Sequence, residues 1–160
     1  MAKVKPIPEG HNGVSPYLIV AGAARALDFY KQAFGATEIS RLPMGDKIGH
    51  AELQIGDTRI MLNDEFPERD NLGPAARGGS SVGFVIYGDD VDSAFKRAID
   101  AGGKETMPVE TQFWGDRMGT LTDPFGHKWS IATHVEDVPP EQFEERMKAS
   151  QPKQPQTETV

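Results

Sequence analysis

The fold is decided by residues 15–36, which read SPYLIVAGAARALDFYKQAFGA. The β-rich run after Pro16 predicts a first strand over Ser15–Val20. Beyond Gly22 the apolar residues recur every three or four positions, which is typical of an amphipathic helix, and Gly35 predicts the end of that helix. The apolar stripe of the helix consists of Ala23, Ala26, Leu27, Tyr30 and Phe34.

Three strand candidates follow the helix, at Thr37–Leu42, Ile48–Ile55 and Thr58–Asn63. A tight Gly56-Asp57 turn joins the last two strands. Together with the first strand and the helix, they form one βαβββ module. The segment Asp64–Ser80 is rich in glycine and proline, so we expect a long connection there.

The same order of elements then returns. A strand over Ser81–Tyr87 precedes a second helical stripe, for which Asp89 or Asp90 is the predicted N-cap. The spacing between equivalent elements is about 67 to 69 residues, which indicates an internal repeat. Two modules, at about residues 14–66 and 80–137, therefore predict one α+β domain over residues 14–137, with strand faces curling around a shared space like a cup. The remaining strands are predicted at Lys104–Val109, Met118–Thr122 and Lys128–Thr133.

Both ends of the chain differ in composition from this domain. Residues 1–13 mix Lys, Pro and Gly without periodicity and predict an N-terminal arm. Residues 138–149 predict a charged C-terminal helix that opens at Pro139-Pro140. Residues 150–160 are rich in Gln, Pro and Thr and predict a disordered tail, because they can bury almost no apolar surface.

Composition excludes several classes of function. The 160 residues include 17 Lys and Arg against 24 Asp and Glu, a formal net charge of −7. This charge disfavours nucleic acid as a partner and favours a cationic ligand over a polyanion. The chain has no cysteine, which excludes thiol nucleophiles and Cys-ligated metals and fits the cytoplasm. No apolar run approaches the roughly 20 residues of a membrane span, so we expect no membrane association.

Strand alternation predicts one polar face in each module. In Ile48–Ile55 the apolar residues alternate with His50, Glu52 and Gln54, which must share the opposite face. A cavity with so many polar side chains indicates a ligand site, although antiparallel sheets also leave such faces simply in contact with water. The predicted lining residues are His50, Glu52, Gln54, Asn63, Thr120, Thr122, Ser130 and His134.

His50 and Glu52 are the candidate catalytic residues. Positions i and i+2 of a strand point the same way, and imidazole with carboxylate suits a divalent transition metal. No third ligand follows from any motif, so the pair is interpreted either as part of a metal site or, in preference, as hydrogen-bonding groups. We therefore expect no resident cofactor.

Two loops near the end of the second module have distinctive sequences. Asp123-Pro124-Phe125-Gly126-His127 has the residue order of a type I turn. In the loop before the penultimate strand, Trp114, Asp116 and Arg117 flank a flexible glycine and could clamp a planar or anionic ligand. The alternative is a surface loop with an Asp116–Arg117 ion pair and with Trp114 buried in the core.

Several short motifs carry a family resemblance over about residues 14–148. They are Ser15-Pro16-Tyr17-Leu18, Ala26-Leu27-Asp28-Phe29-Tyr30 with Phe34-Gly35-Ala36, His50-Ala51-Glu52-Leu53, Phe113-Trp114-Gly115-Asp116-Arg117, and Asp123-Pro124-Phe125-Gly126-His127 with Trp129 to His134. Through them the chain resembles the vicinal-oxygen-chelate superfamily of glyoxalase I, extradiol dioxygenases and bleomycin-resistance proteins. Within that superfamily it is most similar to the PhnB-like branch.

This resemblance implies paired βαβββ modules that form a cup, usually in a homodimer. Under this resemblance, the positions of the family's metal ligands correspond to Ser15, Met61, Gly83 and Ser130. None of these residues is a histidine or a carboxylate. The expected function is therefore the binding of a small organic molecule in the cup without the usual metal ligands. The alternative is a glyoxalase-like lyase or isomerase, or a dioxygenase, with a site rebuilt from His50 and Glu52.

Overall fold

The computed structural model describes residues 4–150. They form eight strands and four α-helices in the order βαβββ, a linking helix, βαβββ, and a last helix. Two single 3₁₀ turns lie at Pro67–Arg69 and Pro140–Gln142. The strands are β1 (Tyr17–Val20), β2 (Thr37–Met44), β3 (Lys47–Ile55), β4 (Thr58–Asp64), β5 (Gly83–Tyr87), β6 (Lys104–Thr111), β7 (Asp116–Thr122) and β8 (Lys128–His134); the helices are α1 (Ala23–Phe34), α2 (Pro74–Arg77), α3 (Val91–Asp100) and α4 (Phe143–Ser150).

Each module contains one four-stranded mixed sheet. The N-terminal sheet has the strand order β1-β4-β3-β2, and the C-terminal sheet has the order β5-β8-β7-β6. In both sheets the first strand runs parallel to the fourth, while the other neighbours are antiparallel. The predicted α+β class with two βαβββ modules is confirmed. The predicted long connection contains the short helix α2, for which Pro74 provides an N-terminal residue that needs no amide hydrogen.

Helix α1 forms where its apolar stripe predicts it, and its ends show why it stops there. Its N-cap is a glycine without a side chain, so the Asp64 carboxylate accepts hydrogen bonds from the amides of Gly22 and Ala23 instead, at 2.9 and 2.8 Å. At the other end Gly35 adopts a φ of 66°, a left-handed conformation that glycine enters without a Cβ penalty. The stripe then packs on its own sheet and contacts α3.

One apolar core spans both modules. Its centre is Trp129 on β8, which is fully buried and packs against Tyr30 and Phe34 of α1. The buried Asp123 carboxylate reinforces this junction, because it accepts hydrogen bonds from the Tyr30 hydroxyl and the Trp129 indole at 2.8 and 2.9 Å. The two halves are therefore joined through α1, α3 and β8.

The two ends of the described range lie beside the domain. In the predicted arm, His11 bonds to Ser15 at 2.8 Å and lies 3.7 Å from the Glu52 carboxylate of β3, so the arm contacts the N-terminal sheet. The predicted C-terminal helix is present as α4 after its 3₁₀ turn. The predicted disordered tail lies, beyond Ser150, outside the described residues. No helix within residues 4–150 is both long and apolar enough to cross a lipid bilayer.

Candidate functional site

Each sheet has an open face, which we define as the face whose side chains alternate with those buried in the core. On the N-terminal open face, the strand register places Tyr17 beside Met61 and Met61 beside Glu52. Ala51, Leu53 and Ile55 point into the core and are buried. The open face contains the residues that the alternation predicts, namely His50, Glu52, Gln54 and Asn63. Asn63 is buried, and the other three are half-buried.

A connected polar network covers this face. The Tyr17 hydroxyl lies 3.0 Å from Nδ1 of His50, and Nε2 of His50 lies 3.4 Å from Oε1 of Glu52. The other carboxylate oxygen of Glu52 accepts a 2.6 Å hydrogen bond from Arg59, and His11 of the arm lies 3.7 Å from it. The network therefore runs from Tyr17 on β1 across the sheet to Arg59.

Electrostatics fixes the protonation states of Glu52 and Tyr17 in this network. The hydrogen bond from Arg59, followed by that from His50, outweighs burial and holds the pKa of Glu52 below its usual value. Burial raises the pKa of Tyr17. At neutral pH Glu52 is thus a carboxylate and Tyr17 a neutral phenol that can donate a hydrogen bond.

Sequence reasoning missed three members of this network, namely Tyr17, His11 and Arg59. A signal for Arg59 existed: the tight turn at Gly56-Asp57 fixes the register of β3 and β4, which places Arg59 opposite Gln54. Their side chains are joined by a 3.2 Å hydrogen bond. No comparable local signal identified His11.

Asn63 lies below this network with an unsatisfied acceptor. Asn63 is 6% exposed, and its Oδ1 accepts no hydrogen bond within residues 4–150. Asn63 is on β4 beside Ile19 of β1. Because Tyr17 and His50 come from the two strands that flank β4, their hydrogen bond bridges over this strand. A buried amide oxygen without a protein donor is uncommon and costs free energy, so a water molecule or a ligand group that donates to it would be stabilised there.

A wide, open cavity lies next to Tyr17. This cavity, the β1 cleft, has a volume of about 850 Å³. Side chains from β1 form one wall, the segment around α2 forms another, and the start of β8 closes a third. Its lining residues are Tyr17, Ile19, Leu72, Gly73, Pro74, Arg77, Gly78, Gly79, Ser80, Ser81, His127 and Lys128.

The C-terminal open face has its own polar cluster around Asp116. The buried Asp116 carboxylate accepts hydrogen bonds from Tyr87, Trp114 and His134 at 2.8 to 2.9 Å. Burial, which alone would raise the pKa of Asp116, is outweighed by these bonds, so the pKa is lowered. The bond to Asp116, with a further one to Asp137, raises the pKa of His134.

The remaining predicted residues of the second module lie on opposite faces of β7, with Thr120 and Thr122 on the open face and Arg117 on the other. Thr120 and Ser130 face each other across β7 and β8 with their hydroxyls 2.9 Å apart, and Thr122 lies farther along the same face beside Lys128. Arg117 does not join Asp116 in either of the predicted ways. It forms a two-pronged ion pair with Asp92 of α3, at 2.6 and 2.9 Å.

Within residues 4–150 no hydrogen bond or ion pair joins the two open faces. A second hollow of about 340 Å³ does lie between the modules, but its lining is largely apolar and contains none of the predicted polar residues. Ile60, Phe84 and Trp129 are among its walls. The single chain thus carries two separate polar clusters, and only the N-terminal one adjoins the β1 cleft.

The family's metal positions do not fit a metal ion in this chain. The Ser15 and Ser130 hydroxyls are hydrogen-bonded to His11 and Thr120. Met61 offers a thioether, a poor ligand for hard divalent ions, and Gly83 offers no side chain. In the described range no group of three or more His, Asp or Glu side chains is arranged to hold a metal, and the guanidinium of Arg59 already neutralises Glu52.

Known proteins share this architecture. An uncharacterized protein of Mycobacterium tuberculosis, Rv0887c, is 43% identical over 129 residues, which cover 78% of this chain and 76% of that protein. The crystal structure of PA1353 from Pseudomonas aeruginosa matches with a TM-score of 0.63 at 28% identity, over 79% of this chain and 100% of the other. TioX from Micromonospora sp. ML1 matches with a TM-score of 0.60 at 24% identity, over 80% and 100%, and this likeness shows the fold alone.

The family model described as the Glyoxalase/Bleomycin resistance protein/Dioxygenase superfamily matches residues 12–131. Those residues contain both βαβββ modules except for the last three residues of β8. The chain therefore belongs to the glyoxalase/bleomycin resistance protein/dioxygenase superfamily.

Proposed function

We propose that this chain is a PhnB-like member of the superfamily that binds a small organic molecule in the β1 cleft, without the metal ligands that the family usually carries. The observation that carries the proposal is the cleft itself. Its volume of about 850 Å³ lies within the range of about 300 to 1,000 Å³ that is typical of small-molecule sites. The assignment to the PhnB-like branch is supported by the sequence motifs.

The cleft also has the composition of a binding site. Tyr17, Ile19 and Leu72 offer apolar surface, while hydroxyls and basic side chains offer a few polar contacts. Beside it, the unsatisfied Oδ1 of Asn63 is available to a hydrogen-bond donor once the Tyr17–His50 bridge opens. Binding without reaction fits the sequestration of a drug, which is compatible with the bleomycin-resistance proteins named in the family description.

A second candidate function is proton-transfer catalysis by a glyoxalase-like lyase or isomerase. It is favoured by the hydrogen-bonded series Tyr17, His50 and Glu52, which starts at a residue of the cleft wall. In this scheme Glu52 stays ionised and orients His50, and His50 exchanges a proton with the Tyr17 hydroxyl. A dioxygenase has less support, because Arg59 occupies the carboxylate that a metal ion would need.

We further propose that the protein acts as a cytoplasmic homodimer. The cysteine-free composition supports the compartment. The C-terminal open face supports the dimer, because Val85, Tyr87 and Met107 are about half exposed or more there. A second copy that covers this face would also add a wall to a cup. Sedimentation equilibrium tests this arrangement: a mass of two chains is expected, and a monomer at all concentrations would contradict it.

The binding function is tested by native mass spectrometry and by thermal-shift screening with a library of small organic molecules. We expect a co-purified molecule or a concentration-dependent rise in melting temperature. The variant Ser81→Trp, which places an indole at the rim of the cleft, should abolish that effect. The matched control Ala149→Trp, on the exposed face of α4, should retain it.

Two outcomes decide between the candidates. If no compound shifts the melting temperature of the wild type and nothing co-purifies, the binding function is wrong. If the wild type turns over an α-oxoaldehyde–thiol adduct and His50→Gln still binds ligand but loses that turnover, the catalytic function is supported. The absence of any such turnover by the wild type would contradict it.

A further inference from the structure

We infer that the β1 cleft selects a small organic anion, that is, a molecule with a carboxylate or phosphate group on an apolar body. This inference rests on the proposed binding function and names the chemical class of its ligand. It reverses the expectation from net charge, by which an acidic chain favours a cationic ligand. The reason is that the charges at the cleft differ from the average of the chain.

The lining of the cleft contains basic side chains and no acidic one. Arg77 and Lys128 contribute to its walls, whereas none of its residues is Asp or Glu. This is unusual for a chain with 24 acidic and 17 basic residues. Because the Debye length at physiological salt is about 8 Å, the charges that line a site outweigh those on distant surfaces. The side chains that line the cleft therefore carry a net positive charge, and the nearest carboxylates are already engaged: Glu65 accepts a hydrogen bond from the Gly73 amide, and Asp70 pairs with Arg77.

Lys128 is the principal counter-charge. It lies at the start of β8 and is exposed, and within residues 4–150 its ammonium forms no ion pair with a carboxylate. The strand register places Thr122 beside it and Lys104 one strand farther. Lys104 and Lys128 therefore lie in one row across the C-terminal sheet, with Thr122 between them, and both add positive charge there.

Arg77 supplies a second cationic group from the opposite wall. Its Nη2 donates to the backbone oxygen of Asp70 and lies 2.9 Å from the Asp70 carboxylate. Asp70 is largely exposed, so water weakens this pair. Among residues 4–150 only one of the guanidinium nitrogens has a partner, which leaves the other N–H groups for an oxyanion.

The rest of the wall requires an organic body rather than an inorganic ion. Ile19 and Leu72 are apolar, and the Tyr17 ring faces the same space. The Tyr17 hydroxyl, kept neutral by its raised pKa, is a hydrogen-bond donor for an oxygen of the ligand when it leaves His50. An oxyanion near Lys128 and an apolar group over β1 would satisfy both parts of the cleft.

The test is isothermal titration calorimetry of the full chain with five probes: benzoate, phenyl phosphate, benzyl alcohol, benzylamine and inorganic phosphate. We expect one or both organic anions to bind more tightly than the neutral, cationic and inorganic probes. Raising sodium chloride from about 50 mM to about 500 mM should weaken that binding, since salt screens the charges. The carboxylate and the phosphate ester distinguish which oxyanion the cleft prefers.

Variants locate the effect. Lys128→Gln should weaken binding of the organic anion by about twofold to fivefold, the effect of one solvent-accessible ion pair, and Lys128→Arg should restore most of it. The control Lys96→Gln removes another exposed lysine, which pairs with Asp100 on α3, and should leave the affinity unchanged.

Three results would overturn the inference. Benzyl alcohol or benzylamine binding as tightly as benzoate, inorganic phosphate binding as tightly as the organic anions, or an organic-anion affinity that is the same in Lys128→Gln, would each do so. In the first and third cases the proposed binding function survives, because a ligand still binds. If all five probes fail to bind while the library screen finds ligands of other charge, the inference alone is wrong.

Discussion

Replacing Asp123 with alanine tests how the two modules are held together. The Asp123 residue is 4% exposed and accepts four hydrogen bonds. Two come from side chains, the Tyr30 hydroxyl at 2.8 Å and the Trp129 indole at 2.9 Å. Two come from the backbone amides of Phe125 and His127, both at 2.9 Å. Alanine would leave all four donors without this partner, and Tyr30 and Trp129 are almost fully buried.

The expected loss of stability follows from these four donors. A buried donor that loses its partner costs roughly 1 to 3 kcal/mol. Two of the four donors belong to a turn that can relax towards water, and removal of the carboxylate also ends its own desolvation cost. We therefore expect a loss of about 4 to 6 kcal/mol. This is a large part of the roughly 5 to 15 kcal/mol by which domains of this size are stable.

Urea unfolding followed by circular dichroism measures this loss as a lower midpoint. Tyr30→Phe removes one of the donors together with its need for a partner, so it should cost only about 1 kcal/mol. Asp57→Ala changes an exposed carboxylate in the β3–β4 turn and should cost less than about 0.5 kcal/mol. If Asp123→Ala lowers the free energy of unfolding by less than about 1 kcal/mol, the proposed role of this carboxylate at the junction is refuted.

Three further predictions concern stability. Gly119→Ala should destabilise the protein by about 1 to 3 kcal/mol in urea unfolding, because its Cβ would lie 2.8 Å from Cε2 of Phe95; an unchanged midpoint would contradict this. Asp116→Ala should cost about 2 kcal/mol, less than the junction variant, because two of its three donors are exposed and regain water. The hydrogen bond from Arg41, aided by a lysine, lowers the pKa of Glu38 to about 2. A lowered pKa contributes stability that is fully present above about pH 4.5 and is lost as the pH falls through about 2. The melting temperature of Glu38→Gln should therefore lie below that of the wild type at about pH 6. The two melting temperatures should converge below about pH 2.

The order of elements was predictable because its signals are local. The stripe of α1 and the alternation in β3 each occupy one short stretch of sequence, so they could be interpreted without knowledge of the fold. The same alternation correctly placed His50, Glu52 and Gln54 on one face. The main change lies in the predicted connection, where the sequence Pro74 to Arg77 forms a short helix and contributes a wall of the cleft.

The partners of the site residues were not predictable in the same way. Glu52 contacts His11 of the arm, and Arg117 contacts Asp92 of α3, and both contacts depend on how distant segments pack. Asp123 shows the same limit. Its position at the start of a turn was correctly interpreted, since the amide of Gly126 donates to its carbonyl oxygen. Its bond to the other module depends on the position of α1.

The central claim is that the β1 cleft is the binding site for a small molecule. The most direct measurement is a titration of the isotope-labelled chain with the organic anion that binds most tightly, followed by backbone amide chemical shifts in NMR. The account predicts that the largest shifts occur at residues 17–19, 72–81 and 127–128. Shifts confined to residues 55–60 and 84–87, which line the hollow between the modules, would contradict it, as would a spectrum that does not change.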